Sequence, residues 1–347
     1  FINELNKGVH VIDNSNPANP VNKSFIKIPG NVDIAVKGNT LYADIYTDML
    51  ALDISNPLAT QITKISRNVF PERNYGNGFF ADTSKYIVDW KKRDTTVKYE
   101  DAAGCGSCGL VFDNPNSFAS AASVTKATVG IAGSMSRFSI VNDYLYTVSI
   151  QTMQVFNIQT PANPESLKTV LLPFGIETIY PFSDKLFLGA TTGMFIYDIS
   201  TATDPKPLGG FSHARVCDPV ITDGDYAYVT LRAGTLCGNA LMKSELNIID
   251  VKNLSQPMLV QRYDMTNPFG LGKDGNLLWI CDGTAGLKLF DATNPKELKL
   301  KKTFSNIEPY DVIPYEGKLI VSAKDGIVQY EYSAAGDMKE LSRLKKK

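Results

Sequence analysis

The run Met49-Leu-Ala-Leu-Asp53-Ile-Ser-Asn-Pro57 reads as an apolar strand that ends on an acid and passes directly into a proline-fixed turn. Its meaning comes from its return elsewhere in the chain. The same pattern stands at Gly8-Val-His-Val-Ile-Asp13, at Met153-Gln-Val-Phe-Asn157 and at Gly193-Met-Phe-Ile-Tyr-Asp198. It comes back at Leu246-Asn-Ile-Ile-Asp250, at Gly286-Leu-Lys-Leu-Phe-Asp291 and, degenerate, at Gly326-Ile-Val-Gln-Tyr-Glu331. Neighbouring markers lie 40 residues apart from Asp13 to Asp53, 41 from Asn157 to Asp198, 41 from Asp250 to Asp291 and 40 from Asp291 to Glu331. Self-similarity at such a fixed period is the signature of a repeat architecture.

A second landmark precedes the marker by twelve residues, as in Gly38-Asn-Thr-Leu41-Tyr-Ala before Asp53 and Asn142-Asp-Tyr-Leu145-Tyr-Thr before Asn157. Gly-Asn, Asn-Asp and Gly-Asp supply the positive φ of tight hairpins, and the flanking aromatic and β-branched residues suit strands. Each unit therefore parses as four strands, in the second copy Val32–Val36, Thr40–Tyr46, Met49–Ile54 and Gln61–Ile65. Four short antiparallel strands per repeat make a propeller blade, and radial closure removes the sheet edges. The fold class expected is all-β: one β-propeller domain over residues 1–347, its first blade incomplete at the N-terminus, with insertions near 101–124 and 232–243. The 104 residues from Asp53 to Asn157 are read as two units plus an insertion, the hidden unit running through Tyr86-Ile-Val-Asp-Trp90 and Thr96–Tyr99. That reading gives eight blades, with seven as the alternative. The missing inner strand of the first blade is expected upstream of Phe1, because Met338–Leu344 is needed as the outer strand of the last.

Markers such as Leu246-Asn-Ile-Ile-Asp250 and Gly193-Met-Phe-Ile-Tyr-Asp198-Ile-Ser resemble the LVIVD repeat of bacterial and archaeal extracytoplasmic proteins, many of them lipoproteins. The resemblance implies a β-propeller at a cell surface or outer membrane and brings no functional residues with it. The first residue is Phe1 rather than Met, which is read as trimming, so any signal segment or lipid anchor would lie upstream.

Composition narrows the function. Lys and Arg number 35 against 36 Asp and Glu, a net charge of −1 that gives no field to gather nucleic acid. No apolar run is long enough to span a bilayer. The chain has only two histidines, and Gly-x-Ser-x-Gly, His-Glu-x-x-His and a phosphate-binding glycine loop are missing. No cofactor, metal site or catalytic residue is assigned. The marker aspartates are assigned to turns, where their side chains accept backbone N–H bonds.

What remains is a face. Loops entering the inner strands meet loops between second and third strands, and together they bring Asp33, Tyr46, Arg137, Glu177, His213, Arg215, Asp282, Glu308 and Tyr310, along with Asp44, Tyr75, Arg93 and Arg232, to one mouth. Carboxylates, guanidinia and tyrosines suit a polar ligand or a protein interface. The expected function is a non-catalytic surface module that engages a glycan, a peptide or a partner protein. The alternatives are a carbohydrate-active enzyme using Glu177, Asp282 or Glu308, and a purely architectural domain.

Of five cysteines, Cys105 and Cys108 form a CxxC suited to a local disulfide in an oxidising compartment, and Cys281 reads as a buried thiol. Cys217 and Cys237 fall on the same face in this parse, within reach of a bridge. Non-reducing peptide mapping is expected to recover Cys217 and Cys237 as one linked pair; free thiols at both would remove it.

Overall fold

A computed structural model describes residues 1–71, 133–212, 219–233 and 243–346. The first sheet has three strands, β1 (Ile2–Glu4), β2 (Gly8–Asp13) and β3 (Val21–Lys27). The second has four, β4 (Ile34–Lys37), β5 (Thr40–Ile45), β6 (Asp48–Asp53) and β7 (Gln61–Ser66). The third holds β8 (Phe138–Val141), β9 (Tyr144–Val148), β10 (Thr152–Asn157) and β11 (Glu165–Leu171). The fourth holds β12 (Ile176–Phe182), β13 (Lys185–Ala190), β14 (Gly193–Asp198) and β15 (Lys206–Ser212). The fifth holds β16 (Val220–Thr222), β17 (Tyr226–Leu231), β18 (Glu245–Asp250) and β19 (Met258–Asp264). The sixth holds β20 (Leu271–Asp274), β21 (Leu277–Cys281), β22 (Leu287–Asp291) and β23 (Lys299–Phe304). The seventh holds β24 (Pro309–Tyr315), β25 (Lys318–Ala323), β26 (Gly326–Tyr332) and β27 (Met338–Lys345). Every pairing is antiparallel between chain neighbours, so each sheet is a meander.

The sheets stand as blades in a ring. Inner strands touch in the order β4, β8, β12, β16, β20, β24. Because β4 of the second blade lies directly against β8 of the third, no blade stands between them. Among the described residues the propeller therefore has seven blades, which corrects the expected eight. The next described strand after β7, which ends at Ser66, is β8, which begins at Phe138. The expected extra unit at Tyr86–Tyr99 falls outside the described residues.

Neighbouring blades lock through their middle strands, which are buried on both sides, as β5, β13 and β21 are throughout. One position recurs. Tyr42, Tyr146, Phe187, Tyr228 and Trp279 occupy the same register on successive second strands, all nearly or wholly inaccessible. The hydroxyl of Tyr42 donates to Pro161 O of the following blade at 2.9 Å, and that of Tyr146 donates to Ala202 O at 2.9 Å. The aromatic ring thus fills an inter-blade gap while its polar tip pins the next blade's turn. Outer strands are exposed and carry Lys64, Lys168, Lys299 and Lys301, charges that discourage edge-to-edge association.

Six seams are hydrophobic clusters shared by adjacent blades. The seam between the seventh and first blades also carries hydrogen bonds. There Gln329, at the register held elsewhere by Ala51, Val155, Ile196, Ile248 and Leu289, exchanges amide bonds with Asn14 at 2.8 and 2.9 Å. Ser342 Oγ donates to Pro17 O at 2.7 Å. The degenerate last marker is thus the residue pattern that closes the ring.

The marker aspartates behave as turn formers. Asp53 Oδ1 accepts Ser55 N–H at 2.8 Å, Asp198 accepts Ser200 N–H at 2.7 Å and Asp291 accepts Thr293 N–H at 2.9 Å. Asn56 and Asn294 repeat the motif toward Leu58 and Lys296. Gln329→Ala is expected to cost about 2 kcal/mol, since it empties a buried side-chain site and removes its bonds to Asn14 and Pro17 O, and Tyr42→Phe about 1 kcal/mol. Urea unfolding of both variants checks the order.

Candidate functional site

One face of the ring gathers the starts of the inner strands and the turns between second and third strands. Counting back from the hairpin turn, equivalent first positions on the inner strands are Asp33, Arg137, Thr178, Pro219, Gly270 and Asp311. Asp33 and Asp311 therefore sit at matching points on the second and seventh blades, flanking the first blade. There the sheet has no inner strand among the described residues.

Between these two carboxylates runs the segment Gly133–Phe138, which contacts blades on several sides of the axis. Ser134 Oγ accepts Leu271 N–H at 2.8 Å and donates to Asp311 Oδ1 at 3.0 Å. Ser136 O accepts Ile179 N–H at 2.8 Å. Asp33 Oδ2 accepts Arg137 N–H at 2.6 Å and Phe138 N–H at 3.2 Å, with Ser136 Oγ at 3.0 Å, while Oδ1 accepts Ile34 N–H at 2.8 Å. A strand tethered to the sixth, seventh, second and fourth blades at once must cross the mouth of the channel. Space there is tight. A Cβ on Gly133 would fall 2.1 Å from Asp311 Oδ2, and one on Gly270 would fall 2.0 Å from Asp311 Oδ1.

Burial raises the Asp33 carboxyl to about 6, opposed by the N–H groups of Arg137 and Ile34 and assisted by the charge of Asp44. Burial likewise raises Asp311 to about 7, opposed by Val312 N–H, Ser134 and Met135 N–H and assisted by Asp33. Each residue is largely enclosed by the chain and half-buried. Asp44, fully buried, accepts Val32 N–H at 2.7 Å, Asp33 N–H at 2.9 Å and Asn31 Nδ2 at 2.9 Å, which fixes the turn carrying Asp33.

The remaining expected residues divide by environment. Arg137 lays its guanidinium 5.0 Å from the Phe70 ring and donates to Val148 O. Tyr46 sits in the turn after β5 with φ +53°, its ring packed over Gly30, where a side chain would collide with it. Glu177 is half-buried on β12 beside Thr178. Asp282, fully buried, accepts Thr266 and Asn267 N–H groups and the Lys288 ammonium at 2.6 Å. Glu308 pairs with Lys324 at 2.8 Å. Tyr310 meets Phe269 edge-on at 5.2 Å, and Arg232 stacks over the other partner of that pair, its guanidinium 4.1 Å from the Phe269 ring.

Glu308 also lines a shallow cleft of about 400 Å³ between the sixth and seventh blades, with Thr284, Ser305, Asn306, Asp325 and Arg343. Cys281 is a buried free thiol, as expected, pushed up by burial and by the charges of Asp311 and Asp282. His213, Arg215, Tyr75, Arg93, Cys105, Cys108, Cys217 and Cys237 lie outside the described residues. Among the described residues no cluster of His, Cys, Asp and Glu has the arrangement to hold a metal ion.

Asp311 was not among the residues expected from the sequence. Loop composition points to Glu308 and Tyr310 just before it. The signal that finds it is register: Asp311 stands four residues before Tyr315 as Asp33 stands four before Lys37.

Comparison with curated protein sequences finds no significant match. Solved structures are similar over nearly the whole chain. A functionally unknown protein from Desulfotomaculum acetoxidans is 12% identical with a TM-score of 0.55, covering 94% of this chain and 90% of its own. A protein from Lactobacillus plantarum is 12% identical with a TM-score of 0.60, covering 93% and 87%. The periplasmic gluconolactonase of Pseudomonas aeruginosa is 12% identical with a TM-score of 0.57, covering 97% and 92%. At such identity the likeness carries the fold alone. The LVIVD repeat model matches residues 30–62, the heart of the second blade, and 240–265, the third and outer strands of the fifth. The chain is a β-propeller that carries the LVIVD repeat.

Proposed function

We propose that this protein is a non-catalytic binding module that engages a glycan, a peptide or a partner protein through the inner-strand face. The observation that carries this reading is the state of the carboxylates there. Glycoside hydrolysis by the usual route needs two carboxyl groups directed at substrate, one of them a proton donor. Asp33 and Asp311 spend their acceptor capacity on backbone N–H groups and serine hydroxyls of Gly133–Phe138. Asp282 and Glu308 are each held by a lysine.

Beside these carboxylates lie a shallow polar cleft and the half-buried Arg232, Phe269 and Tyr310 stack. Aromatic and arginine side chains on an open surface are the groups that anchor interfaces. Arg232 keeps its guanidinium over the Phe269 ring, and its planar fork of donors suits a ligand carboxylate or other oxygen.

An extracytoplasmic setting, with anchoring by lipid, is part of this proposal. It is supported by the repeat family. No helix among the described residues is long and apolar enough to cross a membrane. The kinship of fold with a gluconolactonase brings no lactone chemistry across at 12% identity.

Glycan and peptide arrays probed with the full chain test the reading. Arg232→Ala and Tyr310→Ala are expected to weaken the captured ligand by about 1–3 kcal/mol each, while Lys64→Ala on an outer strand leaves it unchanged. Equal binding by all three variants would show that the wrong face has been chosen. Turnover of a glycoside or lactone that Asp311→Asn abolishes would establish the enzyme instead.

A further inference from the structure

We propose that Gly133–Phe138 is a proton-operated latch across the mouth of the channel, held when Asp33 and Asp311 carry at least one proton between them and loosened when both are ionised. The geometry comes first. Two carboxylates at equivalent positions on blades either side of the first are bound by one six-residue segment, and no other described segment spans them. A tight turn closed by Ser136 N–H to Gly133 O brings the two serines round, so that Ser134 serves Asp311 and Ser136 serves Asp33.

The hydroxyl chemistry permits both protonation states. Ser136 Oγ has one proton and two acceptors within reach, Asp33 Oδ2 at 3.0 Å and Phe138 O at 2.7 Å. With Asp33 ionised, that proton is drawn to the carboxylate. With Asp33 protonated, the acid O–H donates to Ser136 Oγ, which turns its own proton to Phe138 O. The latched arrangement then keeps the Ser136 contacts without enclosing an ionised carboxylate, the charged form that burial disfavours at both residues.

Among the described residues, the charges that bear on the two carboxyls are themselves acidic. On β5 the neighbour is another carboxylate, Asp44, which bears on Asp33. Asp311 and Asp282 both bear on the Cys281 thiol at the end of β21, and Lys288 of β22 is already paired with Asp282. Glu177 stands next to Thr178 on the fourth blade, and the matching positions Thr178, Pro219 and Gly270 are uncharged. Two described cations stand near, Arg137, whose guanidinium lies over Phe70, and Arg232, whose guanidinium lies over Phe269. Both carboxyls sit above the ordinary value of about 3.9, at about 6 and about 7. From about pH 4 to about pH 7 the latched state therefore holds more protons than the released one. It loses ground as pH rises, and the loss is complete once both groups are ionised. The accessible side of each residue gives protons a route to solvent.

The latch concerns the face proposed for binding but needs no ligand, so it is tested on the chain alone. Amide hydrogen exchange, corrected for the intrinsic pH dependence, is compared at about pH 5.5 and about pH 8. Protection of the Met135, Arg137 and Phe138 amides is expected to fall roughly tenfold or more at the higher pH, with β9 and β13 unchanged. Asp311→Asn keeps an acceptor for Ser134 and cannot ionise, so the pH dependence should shrink. Gly270→Ala displaces the carboxylate and should leave the segment weakly protected at both values. Protection in the native chain that does not respond to pH, or responds equally in Asp311→Asn, would overturn the latch. Should that variant fail to fold, carboxyl ¹³C titration of the native chain decides. Midpoints for Asp33 and Asp311 well above the ordinary range sustain the latch, and midpoints near pH 4 for both reject it.

Discussion

Everything in this molecule depends on the face-to-face packing of side chains between adjacent blades. A four-stranded antiparallel sheet standing alone has two faces to cover and two edges to hide. Placing sheets radially covers both faces of each middle strand with its neighbours, which is why β5, β13 and β21 carry almost no exposed residue. The recurring ring at the Tyr42 register is the largest element of that contact. Its hydroxyl adds direction to an otherwise nondirectional force by fixing the turn of the next blade at Pro161 or Ala202. A propeller must also return on itself. Here the returning seam carries Gln329, Asn14, Ser342 and Pro17, polar partners whose geometry discriminates one register from another better than apolar contact does.

Much of this scaffold was legible in the sequence, because strand alternation, hairpin turns and the Asp-led turn are local properties. The strands of the second blade fall within about two residues of the expected ones, and the marker aspartates do what short polar side chains do after a strand. The blade count was not legible, for a physical reason. Sequence spacing measures chain length, whereas position in the ring is decided by which inner strands touch. Dividing the distance from Asp53 to Asn157 by the repeat length counts a blade where the two inner strands already touch. The contact of β4 with β8, together with Lys37 reaching Asp143, leaves no room for one there.

The same distinction explains the site. Reading loops for polar residues found Asp33, Glu308 and Tyr310, since composition is visible without a fold. It passed over Asp311, whose importance lies in matching Asp33 across a gap, a relation that exists only once strands are in register. It also passed over Gly133–Phe138. That segment precedes the first strand of its blade, and its value comes from tethers to four other blades. Long-range relations between modest residues leave little trace in a single sequence.

The two ends of the propeller are chemically unequal, and this favours one of them as the working face. On the hairpin end, Asp13, Asp53, Asp198, Asp250 and Asp291 each close their own turn, and Asn16, Asn56, Asn253 and Asn294 close a second. The repeat itself satisfies these polar groups locally, so they are the same from blade to blade and offer nothing distinctive to a ligand. On the opposite end the inner strands begin with Asp, Arg, Thr, Pro, Gly and Asp at one register. A scaffold that repeats its stabilising residues and varies its mouth residues separates folding from recognition. The segment crossing that mouth is tied to Asp33 and Asp311 at this varied end, so the proposed latch would act there on its own tethers and leave the packing of the ring as it is.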